Sequence, residues 1–127
     1  MKLRYPWLWK LLAWLLLLTV AIVTLMPPPP RLDLPLLSWA KAQHFIAYAV
    51  LAWSFLQAWE GRHTVFWILM LIVAGVLLEV LQGLMGVRIM ETFDMLANSL
   101  GVLLGFVLWR TPAGQGFLFL EARLSRL

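Results

Sequence analysis

The sequence predicts an all-α membrane protein, a four-transmembrane-helix bundle with a short C-terminal interfacial helix. Three observations point there. Hydrophobic residues make up 63% of the chain and charged residues only 13%, with a mean hydropathy of +0.88, outside the range of soluble domains. Four apolar segments approach the ~20 residues that a ~30 Å hydrocarbon core requires at ~1.5 Å per helical residue. Lys and Arg, finally, fall mostly on one side of a four-span arrangement, as orientation signals do.

The first span is expected from about Trp7 to Met26, without charge from Leu11 onward, and with Trp7, Trp9 and Lys10 suited to the interface. It stops at Pro27 to Pro30, which cannot continue a helix. A cleaved signal peptide is the rival reading, but the apolar run is long and no A-x-A-like site follows it, so a retained anchor is expected. From Pro27 to Lys41 the chain should be extended, with Leu36, Leu37 and Trp39 on the membrane surface.

The second span is expected from about Ala42 to Trp59, and the third from about Thr64 to Leu84. Only Glu60 to His63 separates them, which demands a tight helical hairpin. The fourth runs from about Phe93 to Trp109. In the tail, Phe117, Leu120, Leu124 and Leu127 share one helical face, away from Arg123 and Arg126, as in a surface-lying helix; a frayed tail is the alternative. Residues 1–110 thus form the expected membrane domain and 111–127 a cytoplasmic amphipathic tail. The tryptophans, mostly near span ends, read as interfacial anchors.

Lys2, Arg4, Lys10, Arg62, Arg110, Arg123 and Arg126 lie on one side of this arrangement and Arg31, Lys41 and Arg88 on the other. That asymmetry places both termini in the cytoplasm. The basic residues are scattered between apolar runs and form no stripe for a phosphate backbone, so no nucleic-acid partner is expected. The absence of cysteine excludes disulfides and thiolate metal sites. No serine has a plausible base and oxyanion partner, and no glycine-rich loop follows a strand, so hydrolase and nucleotide chemistry are unsupported.

Against this apolar background the polar residues are concentrated. Lys41, His44 and Tyr48 are spaced three and four apart at the start of span two, on one stripe. Glu79 and Gln82 share a face near the end of span three; Arg88 and Glu91 sit in the following loop; Asp94 and Asn98 open span four, and Gly101 and Gly105 continue their stripe. All fall at the outer leaflet. A charge at a helix centre costs ~2.5–3.5 kcal/mol on insertion scales, so such residues persist where they pair or line a polar cavity.

Each residue also has a plain structural reading. Lys41 either contacts a lipid phosphate or snorkels to the interface. His44 is an acid-base group, a metal ligand or a partner for Glu79; no H-E-x-x-H spacing supports a metal site with Glu79 and Asp94, and neither metal nor cofactor is expected. Glu79 serves function or forms an ion pair with Arg88 or Lys41. Asp94 caps span four and meets its dipole, while Asn98, one turn deeper, hydrogen-bonds a neighbouring helix. Gly101-x-x-x-Gly105, with Ala97, lets another helix approach closely.

The ordered set Lys41-x-x-His44-Phe45 with Tyr48, Glu79-x-x-Gln82, Arg88, Asp94-x-x-x-Asn98 and Gly101-x-x-x-Gly105 resembles the VanZ-like family over about positions 38 to 109. The resemblance implies a small bacterial inner-membrane protein of four or more helices, in a family whose founding member is associated with teicoplanin resistance. It establishes no reaction. One departure is Ala40, where the family often has an acidic residue before the lysine.

The leading expectation is a non-enzymatic envelope protein whose outer pocket binds membrane lipids, namely an anionic lipid, or a lipid-linked cell-wall precursor. Lys41 and Arg88 would engage phosphate; His44, Gln82 and Asn98 would hydrogen-bond; Glu79 and Asp94 would orient the cations. Three alternatives stand beside it. One is an enzyme acting on a headgroup, with His44 and Glu79 as acid and base. Another is a transporter or proton relay, for which the inner half offers only Thr19, Thr24 and Gln57. The last is a structural subunit with a membrane-protein partner.

Overall fold

The computed structural model describes the backbone of residues 2–26, 36–86 and 92–127, and the side chains of these except 36–41 and 92–93. Among them five α-helices and one 3-10 turn account for nearly all residues, and there is no strand. The helices are α1 (Pro6–Leu25), α2 (Leu36–Ala58), α3 (Thr64–Leu84), α4 (Thr92–Arg110) and α5 (Gly116–Leu124), with the 3-10 turn Pro112–Gln115 joining the last two.

Helix α1 starts with a proline in its first turn, where the missing N–H would have no intrahelical acceptor and the fixed φ suits a helix. It ends at Met26, which is extended at φ −76°, ψ 147°, as a residue before proline must be. Helix α2 begins at Leu36, six residues before the expected Ala42. Leu36 to Lys41, expected to be extended, are therefore helical, since a proline ahead of a helix does not disturb it. The rest of that stretch, with Arg31, lies outside the described residues, as do the side chains of Leu36, Leu37 and Trp39.

The hairpin between α2 and α3 turns through left-handed backbone at Glu60, Gly61 and His63. The Gly61 N–H donates to the Leu56 carbonyl at 2.9 Å and the Thr64 hydroxyl to the Gly61 carbonyl at 2.8 Å. Gly61 has a second reason to be glycine, since a Cβ there would lie 2.7 Å from the Trp109 ring.

Helix α2 is the centre of the bundle. It packs most extensively on α4 and also on α1 and α3, so it is buried on most sides, with Leu51, Ala52 and Phe55 inaccessible. Gly101 and Gly105 permit the α2–α4 approach: a Cβ on them would strike the backbone carbonyls of Phe45 and Ala49. The expected small-residue surface of α4 thus has α2 as its partner.

At the end holding the chain termini, the core is aromatic. Trp14, Phe55, Trp59 and Trp67 pack with centroid separations of 4.2 to 6.3 Å. Trp9 and Trp67 are buried, so reading the tryptophans uniformly as interfacial anchors is corrected: ring–ring packing takes several of them inward. Trp7, at 65% exposure, keeps the anchor's position.

The C-terminal segment is docked. The Trp53 indole donates to the Ala113 carbonyl at 2.9 Å, the Phe117 N–H donates to Gln57 Oε1 at 2.8 Å, and Phe117 stacks on Trp9 at 4.2 Å. Of the face expected to lie on a surface only Phe117 is buried; Leu120, Leu124 and Leu127 are exposed. Gln57, a candidate for a transport path by sequence, instead satisfies an N–H that opens α5.

Two helices, α1 and α3, are long and apolar enough to cross a membrane among the described residues. Helices α2 and α4, of 23 and 19 residues, are of similar length but carry more polar residues.

Candidate functional site

The polar residues gather at the end of the bundle opposite the chain termini. Helix α3 shows how a sequence stripe delivers them. Its buried residues are Trp67, Leu71, Gly75, Glu79 and Gln82, whose steps of four and three hold one helical face. That face is aromatic at the termini end and ends in an acid and an amide.

Gly75 sets the spacing of the layer. A Cβ on it would lie 3.2 Å from both the Tyr48 ring and Asn98 Cβ, so its absence lets side chains from α2 and α4 close over α3. Tyr48, Glu79, Gln82 and Asn98 are at most 2% exposed and Asp94 is 7% exposed. Three helices therefore contribute polar side chains to one layer, with Tyr48 within electrostatic reach of Glu79.

Across the α2–α4 interface, His44 Nδ1 lies 3.1 Å from Asn98 Oδ1. An amide oxygen only accepts, so this contact requires the ring proton on Nδ1 and makes Nε2 the acceptor of the neutral ring. Asn98 is thus a helix-bridging residue. Asp94 is the third residue of α4, within its first turn, where a carboxylate meets the positive end of the helix dipole. Glu79 and Asp94 are both engaged by neighbouring groups.

Helix α1, absent from the expected cluster, closes the site. Gln82 Nε2 donates to the Thr24 carbonyl at 2.5 Å. Thr19 and Thr24 belong to the same polar end as His44 and Gln82, so assigning them to an inner-half path is corrected. Together α1, α2 and α3 enclose a cleft of about 360 Å³. Thr19 and Gln43 form its exposed rim, His44 and Thr24 its half-buried wall, and Tyr48 and Gln82 its buried floor. Val20, Val23 and Ala47 supply apolar lining.

The cleft lies beside the layer of acids. Glu79, Asp94 and Asn98 are not among its lining residues, so His44 faces the cleft while Glu79 stands behind it. An acid-base pair acting on one substrate atom needs both groups in the cavity. Among the described residues no three His, Asp or Glu side chains gather as metal ligands.

Lys41 occupies a helical position of α2 one turn before His44, which places it on the His44–Tyr48 face; its side chain, and Arg88 and Glu91 entirely, lie outside the described residues. Gln43 and Gly75 are the residues sequence reasoning missed, and Thr24 is the one it assigned to the wrong place. Gly75 had a signal, the four-residue step that links it to Glu79. Thr24 had none, because its contribution is a backbone carbonyl that any residue carries.

A family model described as VanZ/LLP1 matches residues 7–118. No curated protein and no solved structure matches the chain.

Proposed function

The chain belongs to the VanZ/LLP1 family, and from that premise we propose that it is a four-span bacterial inner-membrane protein whose polar end faces away from the cytoplasm. There it holds the headgroup of an anionic lipid or of a lipid-linked envelope precursor. The carrying observation is the cleft between α1, α2 and α3, where the polar Thr19, Thr24, Gln43, His44, Tyr48 and Gln82 stand beside the apolar Val20, Val23 and Ala47. An amphiphile needs both kinds of surface next to each other.

Several features support the membrane frame. Leu11, Leu15, Leu18 and Ile22 of α1, Leu69, Val73 and Leu77 of α3, and Leu96, Leu100, Leu103 and Val107 of α4 are exposed. Soluble monomers rarely show contiguous apolar patches beyond a few hundred Å², whereas a hydrocarbon solvent favours such faces. Helices α2 and α4 reach about 35 and 28 Å at ~1.5 Å per residue, comparable to a ~30 Å core. Among their polar residues, Tyr48, Ser54, Gln57, Asp94 and Asn98 are buried. By their order along the sequence, seven Lys and Arg flank one side of the four spans and three the other, which supports cytoplasmic termini.

Residues 1–110 are then the membrane domain and the docked tail lies at the cytoplasmic face. On this reading Lys41 and Arg88 would engage the phosphate, as the sequence leads one to expect, and His44 and Gln82 would supply hydrogen bonds. Holding an envelope precursor is also the route by which such a protein would alter glycopeptide susceptibility. The test is binding of a short-chain phosphatidylglycerol to the full chain in detergent. Lys41→Ala and Arg88→Ala should each weaken it about tenfold or more, the scale of a hydrogen bond to a charged group; unchanged affinity in both overturns the reading.

A further inference from the structure

The contacts that dock the tail also fix which way α5 faces. Phe117 stacks on Trp9 at 4.2 Å, and its N–H donates to Gln57. A Cβ on Gly116 would lie 2.7 Å from the Trp53 ring, so the helix starts in close contact with α2. One turn on, the Glu121 carboxylate accepts from the Arg4 N–H at 2.7 Å, the Tyr5 N–H at 2.9 Å and the Trp9 indole at 2.7 Å. Phe117, Leu118 and Glu121 therefore turn to the bundle, and α5 cannot roll without breaking these contacts.

The surface left outward is amphipathic. Leu120, Leu124 and Leu127, at steps of four and three, share a face, and all three are exposed. The Ser125, Arg126 and Leu127 N–H groups bond back to carbonyls of α5 and continue its turn. Arg123 and Arg126, three apart and exposed, occupy the adjoining face, with the Arg123 guanidinium 5.5 Å from the centre of the Phe119 ring. The leucine stripe also meets the apolar side of α1: Leu124 and Leu8 line one groove. Leu8, Leu12 and Leu15 share a face of α1, and Leu12 and Leu15 are exposed. Apolar surface thus continues from α1 onto the tail.

Charge selects the occupant. Lys2, Arg4, Arg123 and Arg126 are exposed at this end, whereas Glu121, the acid of the tail, is engaged by three N–H donors. A second copy of this surface would bring the same positive excess, which repels it. An anionic lipid surface attracts that excess and also accepts the leucines, while arginine stems lie along apolar surface with their heads at the phosphates. Resting on the membrane placement above but not on what the outer cleft holds, we propose that α5 is seated on the cytoplasmic leaflet. Leu120, Leu124 and Leu127 enter the acyl boundary, and Arg123 and Arg126 engage the phosphates of anionic lipids.

The experiment places the full chain, which has no cysteine, in nanodiscs of phosphatidylcholine alone or with one third phosphatidylglycerol. A single spin label is carried by Leu120→Cys, Leu124→Cys or Ala122→Cys. Ala122 is exposed and, two residues from each leucine, lies on the opposite side of the helix. With phosphatidylglycerol, labels at the two leucine sites should collide with oxygen more than with a water-soluble nickel chelate, and the label at Ala122 should do the reverse. Each arginine near an anionic surface favours the seated position about fivefold. The oxygen preference at the leucine sites should therefore be greater with phosphatidylglycerol than without it, and Arg123→Gln combined with Arg126→Gln should remove most of that difference.

Leucine-site labels that meet nickel as freely as the Ala122 site overturn the inference, because the stripe then faces water. Labels shielded from both oxygen and nickel place a second copy on the stripe and overturn it equally. Identical seating in the two lipid mixtures means that the arginines select no anionic partner, and the inference falls. Two separate leucine sites keep the comparison decisive where one label disturbs docking. Nanodiscs offer the same lipids to both faces and the labels read only the tail, so failure here leaves the headgroup reading of the cleft to its own test.

Discussion

Replacing Gly105 with alanine tests the contact on which the polar layer rests. The added Cβ would lie 2.6 Å from Ala52 Cβ and 3.0 Å from the Trp53 nitrogen, and closer still to the Ala49 carbonyl. Carbon atoms rest at ~3.5–4.0 Å, so α2 and α4 must part by about 1 Å. The obstruction includes helix backbone, which cannot rotate away as a long side chain does. Overpacking of this kind costs about 1–3 kcal/mol.

The same movement reaches the site. His44 and Asn98 bridge these two helices at 3.1 Å, and about 1 Å of added separation exceeds hydrogen-bond range. Gly105→Ala should therefore lower both stability and lipid binding, although it lies almost two turns from Asn98. Gly101→Ala should act likewise, since its Cβ would meet the Phe45 carbonyl. The double variant should cost less than the sum, because the first substitution already opens the gap the second needs. Denaturation of the full chain in dodecyl maltoside by added dodecyl sulfate, followed by tryptophan fluorescence, provides the measurement. Gly105→Ala within about 0.5 kcal/mol of the unsubstituted protein would place it among neutral substitutions and refute the packing argument.

Two further outcomes concern the termini end and the orientation of the bundle. Burial raises the Glu121 carboxyl, but hydrogen bonds from the Arg4 N–H, the Trp9 indole and the Tyr5 N–H, with the Arg4 charge, outweigh it and hold the group below its ordinary 4.5. A lowered folded value means that the stabilisation is present above 4.5 and is lost as pH falls through that lower value. The stability advantage of the unsubstituted protein over Glu121→Gln in thermal unfolding should thus vanish under acid conditions; an advantage constant down to pH about 3, below the ordinary carboxyl value, contradicts the assignment. Because the chain has no cysteine, Met85→Cys and Ser125→Cys serve as single reporters. An impermeant maleimide should label the first in intact spheroplasts and the second only after lysis, and labelling of both from outside would falsify the four-span orientation.

Helical periodicity alone determined a good deal. Thr64 to Leu84 is both the expected third span and the helix that forms, because charge, turn residues and apolar length agree locally. The stripes through His44 and Tyr48, Glu79 and Gln82, and Asp94 and Asn98 were likewise legible, since positions three and four apart share a face whatever the helix touches. The helical start at Leu36 was obscured by the prolines before it, which forbid helix upstream but place little constraint on the residues downstream of them.

Which helix stands beside which was a tertiary decision. Small residues on α4 announced a close partner without naming it; the carbonyls of Phe45 and Ala49 identify α2. Helix α1 became a wall of the cleft through the Thr24 carbonyl, an acceptor carried by every residue and so invisible as a motif. Glu121 finds its donors at Arg4, Tyr5 and Trp9, more than 110 positions away. Spacing along a chain fixes the direction in which a side chain leaves its own helix. What it meets depends on how whole helices fit laterally, and that fit is set by contacts between residues with no sequence relation to each other.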